Sequence, residues 1–162
     1  MSPRLVQLPE KRLVGTCLPM SLSENRTREL WRRFMPRRHE AGDAGELFAV
    51  QVYDPGYFDR FDPTRVFDKW AAVQQREADV VPEGMDLLTI PAGTYAVFDY
   101  RGSSSDTRIF DHIFRAWLPA SGYRLDNRPH FELLGKKYRN NDTGSEEEIW
   151  IPVNVGAVSG KV

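Results

Sequence analysis

The chain of 162 residues is the size of one domain, or of two halves sharing one core, and its 41% hydrophobic and 28% charged residues are those of a globular protein. A formal net charge of −1 leaves no bulk positive field to collect phosphates, which argues against non-specific nucleic-acid binding. One cysteine, Cys17, and three histidines, His39, His112 and His130, exclude an internal disulfide and a paired-ligand zinc site, so neither a metal nor a cofactor is expected.

Taken in chain order, Arg4–Leu8 and Arg12–Leu18 are short β-branched-rich runs split by Pro9, and both are predicted strands. Ser21 and Glu24 have capping-box spacing, and Thr27, Leu30, Trp31, Phe34 and Met35 follow as one apolar helical stripe that Pro36 interrupts. Glu46–Tyr53 alternates as a strand, with Phe48, Val50 and Val52 on one face and Leu47, Ala49, Gln51 and Tyr53 on the other. Residues 54–66 are rich in turn formers yet carry Tyr57, Phe58 and Phe61. A strand over Phe67–Gln74 and a charged connection over 76–84 close the first half.

The second half begins with a strand over Gly93–Tyr100, a loop in which Ser105 is the expected N-cap, and a stripe of Ile109, Phe110, Ile113, Phe114, Trp117 and Leu118 ending at Pro119. Strands over Phe131–Tyr138 and Glu147–Val155 follow, joined by the turn at 140–144. Shifting the chain by 83 residues lays Trp31 on Phe114, Phe34 on Trp117, Pro36 on Pro119 and Val14 on Val97. One domain over 1–162 is therefore expected, built from two pseudo-repeats at about 1–80 and 85–162. The expected fold class is α+β: duplicated strand-helix-strand-strand units form a curved antiparallel sheet, with two helices on one face and a ligand cleft on the other.

The chemistry is expected on the last strand. Ile149, Ile151 and Val153 share the helix-covered face, so Glu148, Trp150 and Pro152 point the other way. Pro152 has no amide donor, which suggests an edge or a bulge where a cleft opens. A carboxylate beside aromatic faces suits a lipophilic cation, each ring adding about 0.5–2 kcal/mol. Burial would also raise its pKa and let it act as a general base toward water. Tyr53, Trp70, Phe98, Tyr138, Tyr57, Phe58 and Phe61 are the further cleft candidates by geometry.

Four other features have plainer readings. The basic run Arg32, Arg33, Arg37, Arg38 and His39 is a solvated helix face; Asp111–His112 is a surface pair; Cys17 is a packed strand residue; and Arg101–Asp106 is helix capping. The lack of a long apolar run predicts no membrane segment and a cytoplasmic location.

The sequence resembles the GyrI-like small-molecule-binding family, also found as the effector-binding domain of AraC-type and MerR-type multidrug-responsive regulators. The matching residues are Pro91–Phe98, Ile113-x-x-x-Trp117-Leu-Pro-x-Ser-Gly-Tyr123, Pro129-x-Phe131-Glu132 and Glu148–Val153, which cover mainly the second half. The resemblance implies a duplicated α+β fold whose central cleft receives cationic or hydrophobic ligands at an acidic residue, matched here by Glu148, among aromatics, matched by Trp150. The chain would stand alone, without the regulators' DNA-binding helix-turn-helix, so direct nucleic-acid contact is not expected and control of transcription would need a partner. The resulting expectation is a protein, more a binder than an enzyme, that binds or sequesters lipophilic cationic or aromatic small molecules through Glu148. The alternatives are hydrolysis of strained electrophilic toxins by the same acid, or a protein partner such as a regulator or gyrase.

Overall fold

A computed structural model describes residues 2–42, 45–75 and 81–155. Most of the expected 76–84 connection, residues 76–80, lies outside them. The strands are β1 Arg4–Leu8, β2 Lys11–Met20, β3 Leu47–Val52, β4 Phe67–Gln74, β5 Asp86–Ile90, β6 Gly93–Arg101, β7 Tyr123–Leu125, β8 His130–Leu134 and β9 Glu146–Val155. They form one curved antiparallel sheet in the order β1-β6-β9-β8-β3-β4-β2-β5, with β7 added to the end of β9. The order is mirrored about the central β3–β8 pair: β9, β6 and β1 lie outward on one side, and β4, β2 and β5 on the other. The short strands β5 and β7 were not expected, and Tyr138 falls beyond β8, which ends at Leu134.

Two helices cover the outer parts of one face. Helix α1, Thr27–Phe34, packs Leu30 and Phe34 onto Val14, Leu18, Met20, Ala71 and Val73. Helix α2 packs Ile109 and Ile113 onto Ala96, Phe98, Ile149, Ile151 and Val153. Each changes character near its proline, which has no N–H to give to the carbonyl four residues back. After Phe34, α1 tightens into a 3₁₀ segment over Met35–Ala41. Helix α2 opens as α over Arg108–Asp111, widens to π over His112–Trp117 just ahead of Pro119, and closes as α over Leu118–Ser121.

Neither expected cap sits at a helix start. The Ser21 Oγ accepts from Glu24 N at 3.0 Å, which closes a turn ahead of α1, and the residue before α2 is Thr107, not Ser105. Asp106 accepts from Arg108 N at 3.0 Å and orders the entry to α2 instead. The 83-residue offset that superposes the helices does not extend to Val14 and Val97. Val14 packs beneath α1, whereas Val97 lies in the cluster on the opposite face, and any odd shift exchanges the faces of a strand.

That opposite face carries a second core of Leu8, Leu13, Phe48, Val50, Ile90, Tyr95, Val97 and Phe131. Pro152 is not at an edge. It pairs with Tyr95 of β6, and on its other side it occupies the gap between β8 and β7, where its carbonyl accepts from Asp126 N at 2.9 Å. The missing amide therefore costs no ladder bond. Arg128, only 10% exposed in its side chain, crosses the same gap and donates to the Thr94 and Val153 carbonyls at 2.8 and 3.0 Å.

Gly15 is where the sheet is most tightly drawn. An added Cβ would lie 2.0 Å from the Ala71 carbonyl oxygen and 2.6 Å from the Ala72 Cα, both backbone atoms that cannot swing aside. Gly15→Ala should therefore cost about 1–3 kcal/mol or more through overpacking. Urea unfolding followed by tryptophan fluorescence checks this: the midpoint should fall clearly, and an unchanged midpoint would refute the close approach.

Candidate functional site: an acidic pair under an aromatic cover

The two helices leave the middle of their face to β3, β8 and the inner halves of β4 and β9. Alternation places Gln51 and Ala49 of β3, His130 and Glu132 of β8, Lys69 and Ala71 of β4, and Glu147 of β9 on that face. The register then makes the chemistry local: Gln51 pairs with both His130 and Lys69, and Glu132 lies across from Ala49, whose other neighbour is Ala71. Two short side chains thus flank an acid at the seam of the two arms.

Glu132 pairs with Ile149, so Glu147, two residues before it, is its diagonal neighbour on the same face, close enough for the two acids to act on each other. Gln51 Nε2 donates to Glu132 Oε1 at 3.2 Å, and Lys69 Nζ donates to Thr27 Oγ1 at 3.1 Å at the start of α1. Burial, followed by the charge of Glu132 and their mutual hydrogen bond, pushes the Glu147 carboxyl up to about 8, against the opposing pull of Lys69. Burial also lowers the Lys69 ammonium, while both acids act to restore it. Lys69 and the acids therefore form one charge cluster, held partly out of water.

Rings enclose it. Tyr53, just past β3, lies 4.5–5.1 Å from Tyr57, Phe58, Phe67 and His130. Phe58 stacks on His130 at 5.3 Å and on Phe114 of α2 at 5.2 Å, so the 54–66 loop reaches across from the first half to the second. His130 is buried, and desolvation holds its imidazole neutral down to about 3. Tyr138, in the loop after β8, is half-buried beside the charges of Glu147 and Glu132, and burial raises its phenol.

The expected site residues divide between the two faces. Tyr53, Tyr57, Phe58 and Tyr138 gather at the acidic pair. Glu148 and Trp150 are neighbours on the opposite face, as alternation required: Trp150 Nε1 donates to Glu148 Oε1 at 3.0 Å. The acid's other oxygen accepts from Arg4 at 3.2 Å, and its side chain is 32% exposed. Trp150 is stacked on Phe131 at 5.1 Å, and Trp70 packs against the same core. Phe98 is fully buried under α2 against Trp117, and Phe61 is 77% exposed. Trp70 and Trp150 are thus partly buried against the reverse-face core, Phe98 lies under α2, and Phe61 faces solvent.

Glu147, Glu132, Lys69, Gln51, His130 and Phe114 were not expected as site residues. A signal existed for Glu147, because it alternates with Ile149 and Ile151, which were assigned to the helix face.

The features with plainer readings hold no further site. Arg33 pairs with Glu29, and Arg37 with Glu40 at 2.9 Å. Burial pushes the Cys17 thiol up to about 11, away from the thiolate a nucleophile needs. Among the described residues, no three His, Cys, Asp or Glu side chains are placed to hold a metal ion, and no helix is long and apolar enough to cross a membrane.

A family model described as GyrI-like small molecule binding domain matches residues 1–154. The transcriptional regulator BrlR of Pseudomonas aeruginosa is 29% identical over 94% of this chain and 56% of its own length. A DNA gyrase inhibitor of Erwinia billingiae is 38% identical over 44% of this chain and 46% of its own. The chain thus spans about half the length of the curated relatives it matches. Among solved structures, SAV2435 bound to tetraphenylphosphonium superposes with a TM-score of 0.72 at 18% identity, covering 95% of this chain and 94% of that one. The C-terminal domain of EcmrR gives a TM-score of 0.67 at 14% identity, covering 93% and 96%. At these identities the likeness is one of fold.

A carboxyl raised in the folded state binds its proton more tightly there than in the unfolded chain. Its stabilisation is complete below the unfolded value of about 4.5 and is lost as pH rises through about 8. Glu147→Gln, which keeps a donor toward Glu132 and removes the ionisation, should unfold like the parent near pH 4.5 and later than the parent near pH 8.5. Thermal midpoints across that range test the statement; a difference that stays constant with pH would contradict it.

Proposed function

The chain belongs to the GyrI-like small-molecule-binding family, and from that premise we propose that it binds lipophilic cations at the Glu132–Glu147 pair beneath the aromatic cover. The observation that carries this reading is a carboxyl pair held partly out of water among Tyr53, Phe58, Phe114, His130 and Tyr138. An ionised acid there lacks the water that would stabilise it, and a small hydrated cation would have to shed its own shell to replace that water. A cation wrapped in apolar groups has little hydration to lose. It gains charge pairing at low local dielectric and about 0.5–2 kcal/mol from each ring face it covers. Phe58 and Phe114 offer such faces, and neutral His130 does so without a competing charge.

The structural neighbour SAV2435, bound to tetraphenylphosphonium, supports this ligand class as an analogy of fold. Glu148 fits the role less well. Arg4 and the Trp150 indole already occupy its two oxygens, and a cation arriving there would have to displace an internal ion pair. The activity belongs to a binder that sequesters or senses its ligand; BrlR, a transcriptional regulator, suggests a sensing use when such a domain is coupled to a partner.

Tryptophan fluorescence or calorimetry with tetraphenylphosphonium tests the site. Glu147→Gln should weaken binding at least about tenfold at pH 8, because it removes the counter-charge, while Glu148→Gln should change it less than about threefold. Equal losses in both variants, or no binding below about millimolar by the parent chain, would overturn the reading.

A further inference from the structure

Resting on the reading of the centre as a cation site, we infer that cation capture here is a one-for-one exchange with a proton: the cation takes the place of the hydrogen that Glu147 shares with Glu132, and that hydrogen leaves to solvent. The register sets Glu132 and Glu147 side by side on one face, and two carboxyl groups that hydrogen-bond there need a proton between them, since two carboxylates have no donor to offer. Gln51 donates its amide to Glu132 Oε1, so that oxygen already serves as an acceptor, and the O–H between the two acids is assigned to Glu147. With Lys69 charged, the empty site then carries one negative and one positive group and is balanced. Adding a cation without releasing anything would leave an uncompensated positive charge partly out of water, a cost the site avoids by ionising Glu147. The step balances: a cation and a carboxylic acid enter, and a cation–carboxylate pair and one solvated proton come out.

The groups that face the pair leave Glu147 as the source of that proton. From β8, His130 is neutral above about 3. From the segments after β3 and β8 and from β6, Tyr53, Tyr138 and Tyr100 are all raised by burial and stay protonated at neutral pH. The 54–66 loop contributes Phe58 and Tyr57, the latter also raised, and α2 contributes Phe114. From β4, Lys69 is the only neighbouring cation among the described residues, and it is hydrogen-bonded to Thr27 at the start of α1. It is the one competing source of a proton.

The linkage has a direct consequence for affinity. While Glu147 is protonated in the free protein, each unit of pH should tighten cation binding about tenfold, and the profile should flatten above about 8. A neutral ligand of similar shape should bind with no such dependence. Cation retention is thereby coupled to the proton concentration around the protein, a property that an aromatic pocket with a fully ionised acid would lack.

Calorimetric titration of the whole chain with tetraphenylphosphonium near pH 6.5, in two buffers of different ionisation enthalpy, counts the protons directly. About one proton should be released per cation, none with neutral triphenylphosphine oxide and none with Glu147→Gln. Cation binding without proton release, at an affinity independent of pH, would overturn the exchange while leaving the cation site standing. Release that persists in Glu147→Gln would assign the proton to the lysine and likewise overturn it. No cation binding at all would remove both the site and the exchange. If Glu147→Gln fails to fold, carbon-13 NMR titration of the parent's glutamate carboxyls decides: the exchange requires one of them to titrate near 8 in the free protein and to be ionised at pH 6.5 in the complex.

Discussion

The pairing of β3 with β8 is the constraint on which the rest depends. Five residue pairs, from Leu47 with Leu134 to Gln51 with His130, join the two arms of the sheet in a single register. A slip of one residue would exchange the faces of β8 relative to β3, sending Glu132 and His130 into the apolar cluster that now holds Phe48, Val50 and Phe131. The apolar cost of that slip is large, because Phe131 and Val50 are essentially fully buried and stack into neighbours on both sides. Packing on one face thus fixes the polar chemistry on the other. The acids do not hold themselves in place.

With the register fixed, the polar centre becomes an exercise in incomplete neutralisation. Lys69 answers one carboxylate, and Gln51 satisfies an oxygen of Glu132. The second acid is left to hold a proton. Replacing Lys69 and both acids by well-packed apolar side chains would remove the desolvation penalty, and buried ion pairs elsewhere can be exchanged in that way with a gain in stability. Under the proposed function, such an arrangement beneath stacked rings is kept for a cation that replaces the shared proton. The helices serve this arrangement from the sides: α1 supplies Thr27 to Lys69, and α2 supplies Phe114 to the stack.

Much of the fold was legible because its signals are periodic. The apolar stripes of α1 and α2 and the alternation in β3 and β9 mark elements that bury one face, and spacing alone makes each legible. The prolines were legible as interruptions but not in their effect: Pro36 and Pro119 change the type of helix, because packing beneath each stripe continues past the point where an i→i−4 bond is lost. Strands β5 and β7 carry only five and three residues, too few for a period to stand out. Ser105 looks like a cap from its position among serines, yet Asp106 takes the local amide and moves the helix start forward.

The site was harder to read because an alternation argument settles which residues share a face without settling which face is used. Glu146, Glu147 and Glu148 stand in sequence, and one residue of offset separates a carboxylate paired with Arg4 near solvent from one that cannot ionise easily. The reading that chose Glu148 assumed that helices cover their face entirely, leaving only the reverse for a ligand. In the structure each helix covers one arm, and a gap between two helices necessarily lies over the central strands. A sheet of four strands under one helix has no such gap; a mirrored sheet of eight under two helices does, and any acid that alternates with core residues on its central strands must fall into it. Glu132 and Glu147 meet that condition, and Glu148, out of phase by one residue, cannot.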